Sequence, residues 1–357
     1  MNDRELLRTR LYFHKLDEPG FASPAETVRY FGAVQAQDYL GALWAVGQRT
    51  IGATEQSVEA ALSDRSIVRS WPMRGTLHFT APEDLRWMLD LLAERIFAKS
   101  ATIQRDAGLT KKDLIKSRSV LEKEMAGGKI LERNDLYDIL KRNRIDPSNT
   151  RGLHIVGHLA REKVICFGPR TGKQSTFVLL DEWVPQKKTL TKDESLAELA
   201  WRYFTSRGPA SVHDFSWWSG LTLTESARAL QMVSSKLQKT DVGGVEYWTD
   251  KGITVPDKIK STVRFLPAYD EFLVSYSDRS ASEASAIKKL KTLNSIFTST
   301  VIVNGRITST WKRILTNKGV TIKVNHFEKT GKQNEAGIRR EMKRYAKFIG
   351  TKLTIFD

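Results

Sequence analysis

Between residues 4 and 249 one pattern occurs three times: three helical stretches, then two short strands around a tight turn. A chain that repeats one small unit in this way folds as tandem modules rather than around a single large sheet. In the first copy, Arg4 to Leu16 has helical spacing, and Ser23-Pro24-Ala25-Glu26 opens a second helix with a capping box and proline at its first position. Thr54 to Leu62 is the third helix. Ile67 to Trp71 and Thr76 to Phe79 then alternate with strand period around a turn containing Pro72 and Gly75. Thr80-Ala81-Pro82-Glu83 caps a long connecting helix.

The second copy uses helices at Lys112 to Met125, Asn134 to Lys141 and Thr150 to Arg161, with strands at Val164 to Gly168 and Ser175 to Leu180. The third uses Ser195 to Ser206, Ser211 to Ser219 and Thr222 to Val233, with strands at Gln238 to Val242 and Val245 to Thr249. Three helices followed by a two-stranded wing is the winged-helix arrangement. After residue 263 the character changes. Phe265 to Tyr276, Thr300 to Trp311, Val320 to Phe327 and Leu353 to Phe356 read as strands, and Asn304-Gly305 is a strong hairpin signal. The expected fold is mainly α with β (α+β): three tandem winged helices at 1–95 with the connecting helix, 96–190 and 191–262, then a small β-barrel-like unit at 263–357.

The 357 residues are 40% hydrophobic, with a mean hydropathy of −0.38, and no apolar run approaches membrane-spanning length. The polar opening Met1-Asn2-Asp3-Arg4-Glu5 is no secretory signal, so a bacterial cytoplasmic location is the default. Cys166 alone excludes an intramolecular disulfide and any multi-cysteine metal cluster. His154 and His158 have the spacing of a metal pair, but without an evident third ligand the structural role wins. A net charge of +16 points to a polyanion, with nucleic acid ahead of an acidic membrane surface. From Arg306 onward there are 13 basic residues against 4 acidic ones, so the electrostatic anchor is expected there; the helix around Arg339, Arg340, Lys343, Arg344 and Lys347 is either that anchor or a solvated basic face.

Winged helices in a basic chain suggest a transcription regulator, the alternative reading. The third helices argue against it. Reading base edges takes Arg, Lys, Asn or Gln on the recognition helix. Thr54 to Leu62 offers Glu55, Gln56 and Glu59, and its acids would be repelled by phosphate. The modules suit a cleft better than a sequence reader.

The cleft candidate is Phe31-Gly32-Ala33-Val34-Gln35-Ala36-Gln37-Asp38, near the end of the second helix. Val28, Phe31 and Gln35 follow at helical steps, which aims a primary amide inward, where it needs partners. Gln37 converges on the same space if the helix ends between the two glutamines.

That segment, with Ser70-Trp71-Pro72-Met73-Arg74-Gly75-Thr76-Leu77-His78, Gly208-Pro209-Ala210-Ser211-Val212-His213-Asp214-Phe215-Ser216-Trp217-Trp218-Ser219-Gly220-Leu221 and Leu266-Pro267-Ala268-Tyr269-Asp270-Glu271-Phe272, resembles the AlkZ-like winged-helix DNA glycosylases, a bacterial family. The blocks fall in order along nearly the whole chain. The resemblance implies three winged helices, a C-terminal β-barrel, and release of alkylated purines from DNA, including crosslinked bases in some members. The family's glutamine-apolar-glutamine motif is matched by Gln35, Ala36 and Gln37, whereas a related branch carries aspartate at the second position.

Two amides suit this chemistry. Alkylation at N7 makes the purine cationic, so it leaves as a neutral base with little acid help. What remains is to hold a water against an oxocarbenium-like sugar, which glutamine carbonyls do by position and partial charge. Asp38 is either a base or charge stabiliser, or a solvated helix end. Arg69, Arg74 and His78 on the first wing are candidate DNA contacts, His78 alternatively being packed, and Trp71 is core. Arg306, after the Asn304-Gly305 turn, and Lys312 and Arg313 beyond Trp311 either touch a groove or line a solvated hairpin. Trp217 and Trp218 are expected to anchor the core of the third module. The expectation is a monomeric, monofunctional glycosylase acting on double-stranded DNA with N7-alkylated purines, without metal, organic cofactor or membrane partner.

Overall fold

Ser23 opens the helix that leads to the glutamines, and its Oγ accepts from the Glu26 backbone N–H at 3.2 Å. The reciprocal carboxylate goes to the N–H of Ala22 rather than of Ser23, so the capping box is displaced by one residue. The structure is a computed structural model that describes residues 1–185, 188–256, 261–283, 294–327 and 331–354. It divides into two compact units, one formed by Met1–Val58 with Leu196–Asp357 and the other by Glu59–Ser195.

The first unit begins with α1 (Asp3–Phe13), α2 (Pro24–Phe31), a short strand β1 (Ala33–Gln35) and α3 (Tyr39–Gly47). The next helix, α4 (Glu55–Ser63), runs across the boundary. The sequence reading has no counterpart of α3. Leu40 is followed by Ala42, Leu43, Trp44, Ala45 and Val46, all buried, so this helix is apolar nearly all round and carries no 3.6-residue alternation to reveal it.

The second unit contains the hairpin β2 (Val68–Met73) and β3 (Thr76–Thr80), followed by α5 (Pro82–Asp106). Ala81, not Thr80, is the N-cap of α5, and it makes no side-chain capping bond; Pro82 occupies the first turn instead. Beyond it come α6 (Lys111–Met125), β4 (Leu131–Glu132), α7 (Arg133–Arg142), α8 (Arg151–Arg161), β5 (Ile165–Phe167), β6 (Thr176–Leu179) and α9 (Leu180–Trp183). Strands β4, β6 and β5 pair in that order, and Leu121, Leu136, Ile155 and Phe177 pack with Trp71 in one core. His158 lies 3.3 Å from Gln104 and 3.3 Å from Glu162, a local polar contact rather than half of a cluster.

The first unit resumes in α10 (Lys192–Arg207), then α11 (Val212–Ser219), α12 (Leu223–Val233) and the hairpin β7 (Leu237–Val242) with β8 (Val245–Asp250). Trp218 is fully buried, but Trp217 is 47% exposed, with its indole N–H bonded to the Val274 carbonyl, so only one of the two tryptophans is a core anchor.

The final segment corrects the expected barrel. Among the described residues it is an open four-stranded antiparallel sheet, in the order β12 (Gly319–His326), β11 (Arg306–Thr316), β10 (Thr300–Val303), β9 (Val263–Leu266). The strand expected to run from Phe265 to Tyr276 stops at Leu266, because Pro267 has no N–H to extend the ladder and the chain turns into α13 (Glu271–Val274). The strand expected at Leu353 to Phe356 contributes one parallel bridge, from Leu353 to Val320, and residues 355–357 lie outside the described ones. The last helix, α14 (Lys332–Phe348), packs on β9 and α3. Asn304 and Gly305 form the expected β10–β11 turn, with φ of 51° and 83°.

Candidate active site

The helix carrying Val28 and Phe31 does not reach Gln35. Gly32, at φ 71°, ends α2, and Gln35 is the last residue of β1. Gln35 is 5% exposed and Gln37 is exposed, so the two amides occupy different environments.

What fixes the backbone here is a buried ion pair that the sequence reading did not select. Arg207, at the end of α10, sends one guanidinium nitrogen to the Phe31 carbonyl at 2.8 Å and another to the Ala33 carbonyl at 2.9 Å. That second nitrogen also lies 2.6 Å from Glu271 Oε2. The other oxygen of Glu271 accepts the Gln35 backbone N–H at 2.9 Å. Trp218 Nε1 and Ser275 Oγ donate to Oε2 at 3.1 and 3.2 Å. Arg207 is 0% and Glu271 1% exposed, so each charge depends on the other and on these bonds. A second buried pair lies one residue earlier: Arg49 meets both oxygens of Asp270, at 3.0 and 2.7 Å. The available signal was Asp270-Glu271, two acids in an otherwise apolar segment, which require buried cationic partners.

His14 sits among these arginines. Tyr276 spends its hydroxyl proton on the Arg207 carbonyl at 2.8 Å, so His14 Nε2–H donates to Tyr276 Oη at 2.9 Å. Burial, then Arg49, Arg207 and Arg10, push its pKa well below the ordinary value, and the ring is neutral.

Asp38 is the N-cap of α3 but makes no side-chain capping bond. It lines a cavity of about 250 Å³ together with Gly41, Trp44, Pro267, Ser299, Trp311, Lys312 and Arg313. The fold thus brings together three expected site residues, Asp38, Lys312 and Arg313. Arg313 also donates to the Tyr345 hydroxyl, which ties β11 to α14. Arg306 is exposed at the other end of β11, six residues from Lys312 and so roughly 20 Å along the strand. The turn before it is not solvated throughout, since a Cβ on Gly305 would lie 2.9 Å from Leu7 Cβ on α1.

In the second unit, Arg74 and Gly75, at φ 52° and 74°, make the β2–β3 turn. His78 Nδ1 lies 2.9 Å from the Thr76 carbonyl and Nε2 lies 3.4 Å from Arg74, which assigns the proton to Nδ1 and leaves Nε2 to accept from Arg74. His78 is fully buried, and Arg69 is 8% exposed, its guanidinium 4.5 Å over the Phe167 ring. Arg74 is the most open of the three.

The first unit thus holds an open sheet whose charged residues are basic, a clamped glutamine segment and a cavity lined by Asp38, Lys312 and Arg313. Residues 28–348 match the family model described as DNA glycosylase AlkZ-like, and the chain belongs to that family of N-glycosyl bond hydrolases. An interstrand DNA cross-link repair glycosylase from Streptomyces sahachiroi is 25% identical over 293 residues, 76% of each chain. The fold is similar to that of the Streptomyces sahachiroi DNA glycosylase AlkZ, with a TM-score of 0.77 at 19% identity, over 99% of this chain and 100% of that one.

Proposed function

We propose that the chain is a monofunctional DNA glycosylase that hydrolyses the N-glycosidic bond of N7-alkylated, cationic purines in double-stranded DNA. The cross-link repair name of its relative extends the proposal to crosslinked bases. Gln35 and Gln37 hold the attacking water and place partial negative charge near the oxocarbenium-like sugar. The observation that carries this reading is the Arg207–Glu271 clamp, which holds the Phe31, Ala33 and Gln35 backbone by three separate contacts, a preorganisation that a solvated turn does not need. Three winged helices at 1–95, 96–190 and 191–262 remain our reading of the helix and hairpin order. Monomeric action in the bacterial cytoplasm is part of the same proposal, as are DNA contacts by Arg69, Arg74, His78, Arg306, Lys312 and Arg313.

Arg339, Arg340, Lys343 and Lys347 are exposed at helical steps along α14 and supply a stripe for backbone phosphates. Affinity for undamaged duplex should therefore fall by on the order of a thousandfold between about 50 and about 200 mM salt, with little dependence on sequence. Fluorescence titrations across that range measure it, and a strong preference for one undamaged sequence would favour a regulator.

The product should be an intact abasic strand. A glycosylase that also nicks needs a desolvated lysine to form a Schiff base. No lysine lies between Lys15 and Lys99, and Lys312, which lines the cavity with Asp38, is exposed to water. Incubation with a duplex carrying one N7-methylguanine should give strand breaks only after alkali. A borohydride-trapped adduct that disappears in Lys312→Ala would overturn the water mechanism.

A further inference from the structure

We infer that the cavity beside Asp38 reads the Watson–Crick edge of alkylated guanine, Asp38 accepting hydrogen bonds from the base and Arg313 donating to its O6, with Lys312, the next residue along the strand, adding positive charge at the rim. This rests on the proposed reaction and adds the base that it selects. Asp38, Lys312 and Arg313 all line the cavity, yet among the described residues no ion pair or hydrogen bond joins the carboxylate to either cation. Opposite charges that face one space without pairing suit a ligand with donors on one part of its edge and an acceptor beside them. Guanine has that edge: N1–H and the N2 amino group are donors, and O6 next to them is an acceptor. Adenine reverses it, with an acceptor at N1 and an amino group at C6.

The walls agree with a flat ring. Trp44 and Trp311 spend their indole N–H groups on the carbonyls of Phe265 and Leu266, at 2.7 and 2.8 Å, and so offer the cavity only apolar ring. Pro267 adds to that wall. Phosphate suits two cations but not a carboxylate facing them. Alkylation at N7 draws electrons from the ring and strengthens its N–H donors, so Asp38 favours the lesion over ordinary guanine. Being adjacent to Gln37, Asp38 sets the base next to the residues that hold the water.

Gly41 completes the arrangement. A Cβ there would lie 2.9 Å from Asp38 Cγ and 3.0 Å from Pro267 Cβ, so a side chain at this position displaces the carboxylate. Titration calorimetry with free 7-methylguanine, free 3-methyladenine and inorganic phosphate tests the cavity without any turnover. The wild-type protein should bind 7-methylguanine roughly tenfold or more tighter than 3-methyladenine, and Asp38→Asn and Gly41→Ala should erase that preference. Asp38→Asn should also slow release of N7-methylguanine from duplex roughly tenfold while affinity for undamaged DNA and the melting temperature hold. Equal binding of the two bases, a preference that survives Asp38→Asn, or phosphate binding in place of either base overturns the assignment. Selective binding of 7-methylguanine by a protein that releases no base would leave the cavity assignment standing and remove the proposed reaction.

Discussion

Arg207→Ala is expected to destabilise the protein by about 3–5 kcal/mol, because it leaves the Glu271 carboxylate buried with its charge uncompensated. The carbonyls of Phe31 and Ala33 lose their donors in the same change. Glu271→Ala should cost a comparable amount by stranding Arg207. The two changes remove one interaction from opposite ends, so the double variant should lose clearly less than the sum of the single losses. Urea unfolding of the four proteins measures this. Additive losses would mean that the charges act separately and that the glutamine segment is held by something else.

Gln37→Ala should slow base release by on the order of a hundredfold or more, the scale seen when one preorganised polar group is removed from a reaction centre. Affinity for DNA should stay nearly intact, since phosphate contacts are assigned to cations elsewhere. Gln37 is exposed and lies beyond the clamped backbone of Gln35, so its loss should leave folding unchanged. Single-turnover excision alongside a binding titration separates chemistry from binding. Unchanged excision would remove the second glutamine from the mechanism.

Much of the local structure was legible in the sequence because caps, glycines and strand alternation act over a few residues. Ser211 and Thr222 open α11 and α12 with capping boxes. Asn304-Gly305 turns where its chemistry says it should. Two kinds of information were not local. The apolar α3 has no polar face to give it periodicity, so its position depends on being buried against α14 through contacts such as Trp44 with Tyr345 and Phe348. The ion pairs were hidden for a similar reason: Arg207 and Glu271 are 64 residues apart and look like two ordinary charges until folding removes water from both. Among the described residues the expected barrel is an open sheet, and its strand β9 ends at Leu266 because Pro267 has no N–H to extend the ladder. At the candidate site, the sequence reading placed Gln35 on a helix, which Gly32 terminates before that residue is reached. It named Asp38, Lys312 and Arg313 separately, and only the fold places them around one cavity.

The central claim, hydrolysis of a cationic base from DNA at the glutamine segment, is tested most directly by free base. Duplex carrying a single N7-methylguanine is mixed with excess protein, and released 7-methylguanine is measured by mass spectrometry over time. The wild-type protein should release it far faster than the duplex loses it spontaneously, and the Gln35→Ala/Gln37→Ala protein should fall back to nearly the spontaneous rate. No release above that rate by the wild-type protein, or equal release by both, would contradict the account.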